Sequence, residues 1–447
     1  MLPRALVLTT TSMLAALAVA PVTGASAARI GAPDGLRATL DHAPVTRTAR
    51  AAQAIATDPR AAEQWPLQGD GPMGIDTAWR QTTGADVTVA VVDSGLDLGH
   101  PDLAPNLWTN PGEVPGNGID DDGNGYVDDV HGYDFVDGDG TPQDANGHGT
   151  HVAGIVGARG GNGIGVAGVA WHARIMAVRV LDGQARGTTT AVAQGIRYAV
   201  DNGARVVNLS LAGPTSTPDL EDAVDYAAGR GVLVVVAAGN DGADLASAPT
   251  YPAAYASDAV LGVAATTRDG ALSRVSDYGP GADVAAPGEE ILSTALGGGY
   301  EWRTGTSMAA PQVTGALVLL AAARPDLDGA ALRAALLAGV RRTGLPVQDG
   351  ALDVGAALQG AIAPSAWKAA APAALSSYAA PAAAKPPAAT AKRAKAKSGR
   401  KATRRSSAAR RRAAAAARRA AARRKARARA RRAAAARRRA AAARHRA

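Results

Sequence analysis

Asp86-Val87-Thr88-Val89-Ala90-Val91-Val92-Asp93-Ser94-Gly95 reads as one buried strand running straight into a turn. Asp86–Val92 is short, apolar and β-branched, the composition of a strand covered on both faces, as in a parallel sheet. Similar runs follow at Ile175–Leu181, Arg205–Leu211, Val232–Ala238 and Val260–Ala264. Helix-like segments lie between them, at Thr150–Ala158, Thr189–Asn202 and Pro218–Arg230. This alternation predicts an α/β fold, a doubly wound, mostly parallel sheet with helices on both faces. Such sheets build their sites outside the carboxyl ends of the strands. Asp93, directly after its strand, stands where a functional carboxylate belongs.

A second stretch, Gly305-Thr306-Ser307-Met308-Ala309-Ala310-Pro311, reads as a turn that puts a serine on the first turn of a helix. The apolar Val313, Ala316, Leu317, Leu319 and Leu320 predict that this helix is fully buried. Pro311 is tolerated in a first turn, where its missing N–H is not needed. There the Ser307 hydroxyl lies near unpaired backbone N–H groups and the positive end of the helix dipole, which suits a developing negative charge. Taken alone it is an N-cap. A base comes from Asn146-Gly147-His148-Gly149-Thr150-His151-Val152, where His148 opens the next helix and His151 follows three residues on. Either histidine alone reads as a hydrogen-bonded structural residue. The His-x-x-His spacing suggests a metal, but no third soft ligand accompanies it.

The order Asp, His, Ser, with all three strings present, resembles the subtilisin superfamily of serine proteases, the subtilases, and most of all its thermitase-like branch. The resemblance covers residues 58–360. It implies a serine endopeptidase that acts on protein or peptide substrates through an acyl-enzyme and uses no cofactor in the chemistry. By the same resemblance Asp93 orients His148, His148 is the general base, Ser307 is the nucleophile, and Asn240 donates its side-chain N–H to the oxyanion; His151 is left structural. Substrate would lie as an added strand between Ala185-Arg186-Gly187 and Ser210-Leu211-Ala212-Gly213, with Ala238, Gly239 and Thr250 as further pocket walls. Ala185 and Ala212 stand where relatives commonly have Gly, and a Cβ at Ala212 would narrow the primary pocket.

Three acidic stretches offer hard oxygen ligands for structural Ca2+. Asp134, Asp137, Asp139, Thr141 and Gln143 resemble a thermitase calcium loop. Asp58, Asp102 and the Asn162 side chain, with carbonyls near Arg159, Ile164 and Val166, resemble a composite family site. Asp120, Asp122, Asn124 and Gly125 fit an EF-hand loop whose twelfth position is His131 instead of Glu, so Asp128 or Asp129 is the expected substitute. One to three occupied sites are expected.

The formal net charge of +9 over 447 residues conceals a split. Residues 364–447 hold 27 Lys and Arg and no Asp or Glu, so the remainder carries 21 basic against 39 acidic groups, a net of −18. Cysteine is absent, which excludes a disulfide framework. Residues 1–27 read as a signal peptide: Arg4, an apolar run from Ala5 to Ala20, and Ala25-Ser26-Ala27 as cleavage site. They predict a secreted protein, with no other transmembrane segment. Residues 28–57 read as a short pro-segment or N-terminal linker, too short to bury a core. Residues 361–447 read as an Ala/Pro linker and a disordered Ala/Arg/Lys-rich tail with no apolar stripe. Its candidate partners are acidic polymers, nucleic acid or anionic lipid at the cell surface. A monomer is expected. The second function class is a polyanion-binding surface protein whose peptidase domain serves only self-processing.

Overall fold

The computed structural model describes residues 58–68 and 71–362. The stretches read as signal peptide, pro-segment and basic tail lie outside these described residues. The strands are β1 Thr88–Asp93, β2 Gly132–Asp134, β3 Arg174–Arg179, β4 Val206–Leu209, β5 Leu233–Ala237, β6 Val260–Thr266, β7 Val284–Pro287, β8 Ile291–Ala295, β9 Gly299–Arg303 and β10 Gly350–Ala351. The helices are α1 Ile75–Trp79, α2 His148–Gly157, α3 Thr189–Asp201, α4 Pro218–Gly229, α5 Thr306–Ala323, α6 Gly329–Ala338 and α7 Val354–Ile362.

Eight strands form one sheet in the order β10-β7-β6-β5-β4-β1-β3-β2. Each neighbouring pair is parallel. β8 and β9 form a separate antiparallel hairpin. The apolar runs explain the layering, because successive side chains of a strand leave opposite faces. Val89 and Val91 of β1 join α1, α2, α5, α6 and α7 in one core. Ala90 and Val92 join α3 and α4 in the other. The expected doubly wound architecture is therefore the one observed. The connection leaving β1 runs toward the β2 edge and the one leaving β4 runs toward the β10 edge, so the switch point where such sheets open a crevice lies between these neighbouring strands.

Boundaries shift by one or two residues, for local reasons. β1 starts at Thr88 because Asp86 has a left-handed φ of 64°. It ends on Asp93, which is the last residue of the strand, not the first of the turn. α5 is long and apolar enough to cross a membrane, but 89% of it is buried inside the protein as the core helix the sequence predicts. Pro311 departs from expectation. α5 begins at Thr306, so Pro311 is its sixth residue and lies past the first turn.

Candidate active site

Asp93, at the carboxyl end of the central strand, is fully buried, as are His148 and Ser307. His148 Nδ1 lies 2.8 Å from Asp93 Oδ1 and 3.0 Å from Oδ2. A carboxylate accepts, so Nδ1 carries the proton and Nε2 is the basic nitrogen. Nε2 is buried with no hydrogen-bond partner among the described residues. The Ser94 N–H donates to Asp93 Oδ1 at 2.7 Å, holding the carboxylate in place.

The approach of α2 to β1 requires glycine at one point. A Cβ on Gly149 would fall 2.2 Å from Gly95 O and 3.2 Å from the Asp93 Cβ. Asp144, which the sequence reading missed, fastens the start of α2. Its carboxylate accepts from the Gly147 N–H at 2.9 Å, the Thr150 N–H at 3.0 Å and the Thr150 hydroxyl at 2.6 Å. It also accepts from Ser94 Oγ at 2.9 Å, tying the helix to the residue after Asp93. His151 is fully buried, with Nε2 3.1 Å from Glu301 O. Burial holds its pKa well below the usual imidazole value, so it stays neutral and structural.

Ser307 is the second residue of α5. Its hydroxyl donates to Ser210 O at 3.2 Å. Asn240, on the loop after β5, meets the helix start through Thr306, whose N–H lies 2.8 Å and hydroxyl 2.9 Å from Asn240 Oδ1. A backbone N–H only donates, so the amide atom facing it is the oxygen and Nδ2 is the donor turned to the other side. Behind this loop, Asp277 Oδ1 accepts from the Asp241 N–H at 3.0 Å and the Ala243 N–H at 2.8 Å. Gly239, at φ +123°, passes so close that a Cβ there would lie 2.1 Å from Asp277 Oδ2.

Burial pushes the Asp277 carboxyl up to about 6, against the backbone N–H bonds of Ala243 and Asp241. A folded-state pKa above the unfolded value of about 3.9 gives stability that is full below pH 4 and lost as pH rises through 6, on the order of 2 kcal/mol. Asp277→Asn, which keeps an acceptor for both N–H groups, is therefore expected to raise Tm at pH 8 and leave it nearly unchanged at pH 4. Equal shifts at both pH values, measured by calorimetry on inhibited enzyme, would contradict this.

Of the two expected substrate edges, the one at Ser210 meets Ser307 directly. Ala185 is buried and adopts a left-handed φ of 54°, a conformation that favours the Gly expected there. Arg186 is turned back on its own loop, with Nη2 3.0 Å from Asp182 Oδ2 and its carbonyl accepting from the Asp182 N–H at 2.8 Å. Gly187 packs against Val180 O. Leu211 and Ala212 are buried, and the Gly213 backbone pairs with Tyr251. Thr250 Oγ1 donates to Ala238 O at 2.6 Å, so these two expected walls are joined.

The acidic groups assemble unevenly. Asp134 Oδ2 and Asp137 Oδ2 both meet Arg179 Nη1, at 2.5 and 3.1 Å. Asp139 Oδ1 instead takes the Thr141 N–H, and Gln143 Oε1 the Leu98 N–H. Burial pushes Asp134 up, opposed by backbone N–H bonds and by Arg179. Asp58 accepts from the Gly161, Asn162 and Gly163 N–H groups, and Asp102 from Asn162 Nδ2, the Val166 N–H and Tyr300 OH. Two buried carboxylates thus share one loop, which includes Ile164, with neutral donors. In the third group Asp129 turns inward to Asn110, Asn124 and Tyr198. Its place beside Asp120 and Asp122 is taken by Glu113, whose carboxylate oxygen lies with theirs inside a 4.8 Å cluster. No motif in the sequence marks Glu113, because it precedes the loop.

A carboxylate-oriented imidazole, a serine on a helix start and an amide fastened to the residue before that serine are the parts of a site that transfers acyl groups through serine. Residues 84–355 match the family model described as the Subtilase family, and the chain belongs to that family. It is 46% identical over 253 residues to thermitase of Thermoactinomyces vulgaris, covering 56% of this chain and 81% of thermitase. It is 44% identical to a thermophilic serine proteinase of a Bacillus species, covering 55% of each chain. A solved protease structure from Pseudoalteromonas arctica aligns with a TM-score of 0.58 at 31% identity, covering 69% of this chain and all of that one. The protein is a subtilisin-like serine endopeptidase, and its substrates are proteins.

Proposed function

We propose that Asp93, His148 and Ser307 are the catalytic triad, with Asn240 and the Ser307 N–H as oxyanion donors. The observation that carries this is the buried Asp93–His148 pair at 2.8 and 3.0 Å, which leaves Nε2 as the base. The Ser307 hydroxyl swings from Ser210 O toward Nε2, loses its proton there and attacks the peptide carbonyl. The Asn240 amide and backbone N–H stabilise the tetrahedral oxyanion. His148 then protonates the leaving amine, and water resolves the acyl-enzyme. Substrate lies along Ala185–Gly187 and Ser210–Gly213. Casein hydrolysis by Ser307→Ala at the wild-type rate would sink this reading.

The same reading makes the enzyme secreted, with residues 1–27 removed and a peptidase domain over 58–360. Intact mass spectrometry of the culture supernatant fixes both mature termini. It also makes the fold calcium-stabilised. The donor sets suit a hard cation, and Asp120 Oδ1 and Asp128 Oδ1 are buried without partners among the described residues. Glu113, Asp120 and Asp122 would hold one ion, and Asp58, Asp102 and Asn162 another. At the Asp134–Gln143 loop Arg179 competes for two of the carboxylates, so this site should be the weakest. An ion at 100 times its Kd stabilises by about 2.7 kcal/mol. Excess chelator is therefore expected to lower Tm by several degrees, and Glu113→Gln to shrink that shift. A melting curve unchanged by chelator would remove all three sites.

A further inference from the structure

α5 is interrupted at its most sensitive point. In an α-helix the carbonyl of residue i accepts from the N–H of residue i+4. The partner position for the Ser307 carbonyl is residue 311, which is proline and has no N–H. The carbonyl is taken up from outside the helix. Ser210 Oγ donates to Ser307 O at 2.8 Å.

The direction of that bond is settled by its neighbours. Thr314 Oγ1 donates to Asn208 Oδ1 at 2.8 Å, and Asn208 Nδ2 then donates to Ser210 Oγ at 3.0 Å. With one lone pair occupied by an amide donor, the Ser210 proton points at Ser307 O. All four residues are fully buried, so no water substitutes for a missing member. The relay leaves α5 two turns beyond Ser307, crosses the end of β4, and returns to the backbone of the nucleophile. Ser210 also presents its own carbonyl to the Ser307 hydroxyl.

We propose that Pro311 and Ser210 form one positioning device. Proline releases the Ser307 carbonyl from the helix ladder, and the Ser210 hydroxyl pins it to the strand edge along which substrate lies. The pin fixes the peptide plane between Ser307 and Met308, and so the Ser307 Cα from which both the hydroxyl and the Ser307 N–H are carried, relative to the incoming carbonyl. Ser210 is a positioning residue through its side chain, a role separate from its backbone at the substrate edge. This inference rests on Ser307 being the nucleophile.

The test is a compensating pair read on full-length enzyme with a small peptide substrate. Active sites are counted by titration with a serine-directed phosphonate, and Tm reports folding. Ser210→Ala removes the hydroxyl that donates to the Ser307 carbonyl and accepts from the Asn208 amide. It is expected to lower kcat per titrated site by about tenfold with KM changed less than twofold, since the backbone edge is intact. Pro311→Ala restores the missing N–H. Added to Ser210→Ala, it is expected to recover most of the lost kcat. Ser210→Thr, which keeps the hydroxyl, serves as the conservative variant if Ser210→Ala does not accumulate, and should stay within threefold of wild type. A double variant as slow as Ser210→Ala, a loss confined to KM, or a slow Ser210→Thr with unchanged Tm would each overturn the device. Failure of phosphonate to label Ser307 at all would instead overturn the nucleophile assignment.

Discussion

Ser307→Ala and His148→Ala are each expected to lower kcat by roughly a million-fold, a magnitude that comes from subtilisin, another subtilase. The losses should not add. The Ser307 hydroxyl is useful only if Nε2 takes its proton, and Nε2 has a role only if a hydroxyl lies before it. The double variant should therefore be about as slow as either single one. Asp93→Asn should be less severe, roughly 10,000-fold. An Asn there can present its NH2 to Nδ1, which moves the imidazole proton to Nε2 and removes the base. The Ser94 N–H bond to the side-chain oxygen survives the change, so the variant should fold. Additive losses in the double variant, measured as turnover per folded molecule, would show that the two residues do not act as one unit.

Asn240→Ala is expected to lower kcat by roughly 100- to 1,000-fold with KM nearly constant, again a magnitude from subtilisin. The reason lies in how the amide is held. Thr306 donates twice to Oδ1, fixing the plane of the side chain before substrate arrives. The Nδ2 donor therefore needs no reorganisation when charge develops on the carbonyl oxygen. In the proposed oxyanion role it bonds the oxyanion far better than the ground-state carbonyl, which is why the loss belongs in kcat. Asn240→Asp keeps the acceptor for Thr306 but offers no donor and adds a negative charge. It should be slower than Asn240→Ala. A rate equal to wild type in either variant would place the oxyanion elsewhere.

The parts of the molecule that could be read from the chain are those whose physics is local. Val89–Val92 is buried on both faces, and its uniform apolar character shows that directly. α5 is apolar around its whole circumference for the same reason. The three strings around Asp93, His148 and Ser307 were legible because each packs its special residues into a few consecutive positions. β2, of three residues, and β10, of two, carry no periodicity to detect; the sheet's pairing defines them. The β8–β9 hairpin is likewise set by its tertiary surroundings, with Ser293 and Thr294 donating to the carbonyls of His151 and Thr150 in α2. Glu113, Asp144, Asp277 and the Thr314–Asn208–Ser210 relay were not legible, because each acts across a gap in sequence that only folding closes. Pro311 was misread by position. Its meaning depends on where α5 starts, and that start is fixed by the Asn240 contact with Thr306, not by a local cap.

The most direct measurement is to react the native enzyme with a serine-directed phosphonate, digest it and map the adduct by mass spectrometry. One adduct per chain is expected, on Ser307, formed together with complete loss of peptidase activity. Asp93→Asn and His148→Ala should slow its formation by orders of magnitude, and denatured enzyme should not react. An adduct on another serine with loss of activity, or full activity in protein fully labelled at Ser307, would contradict the account.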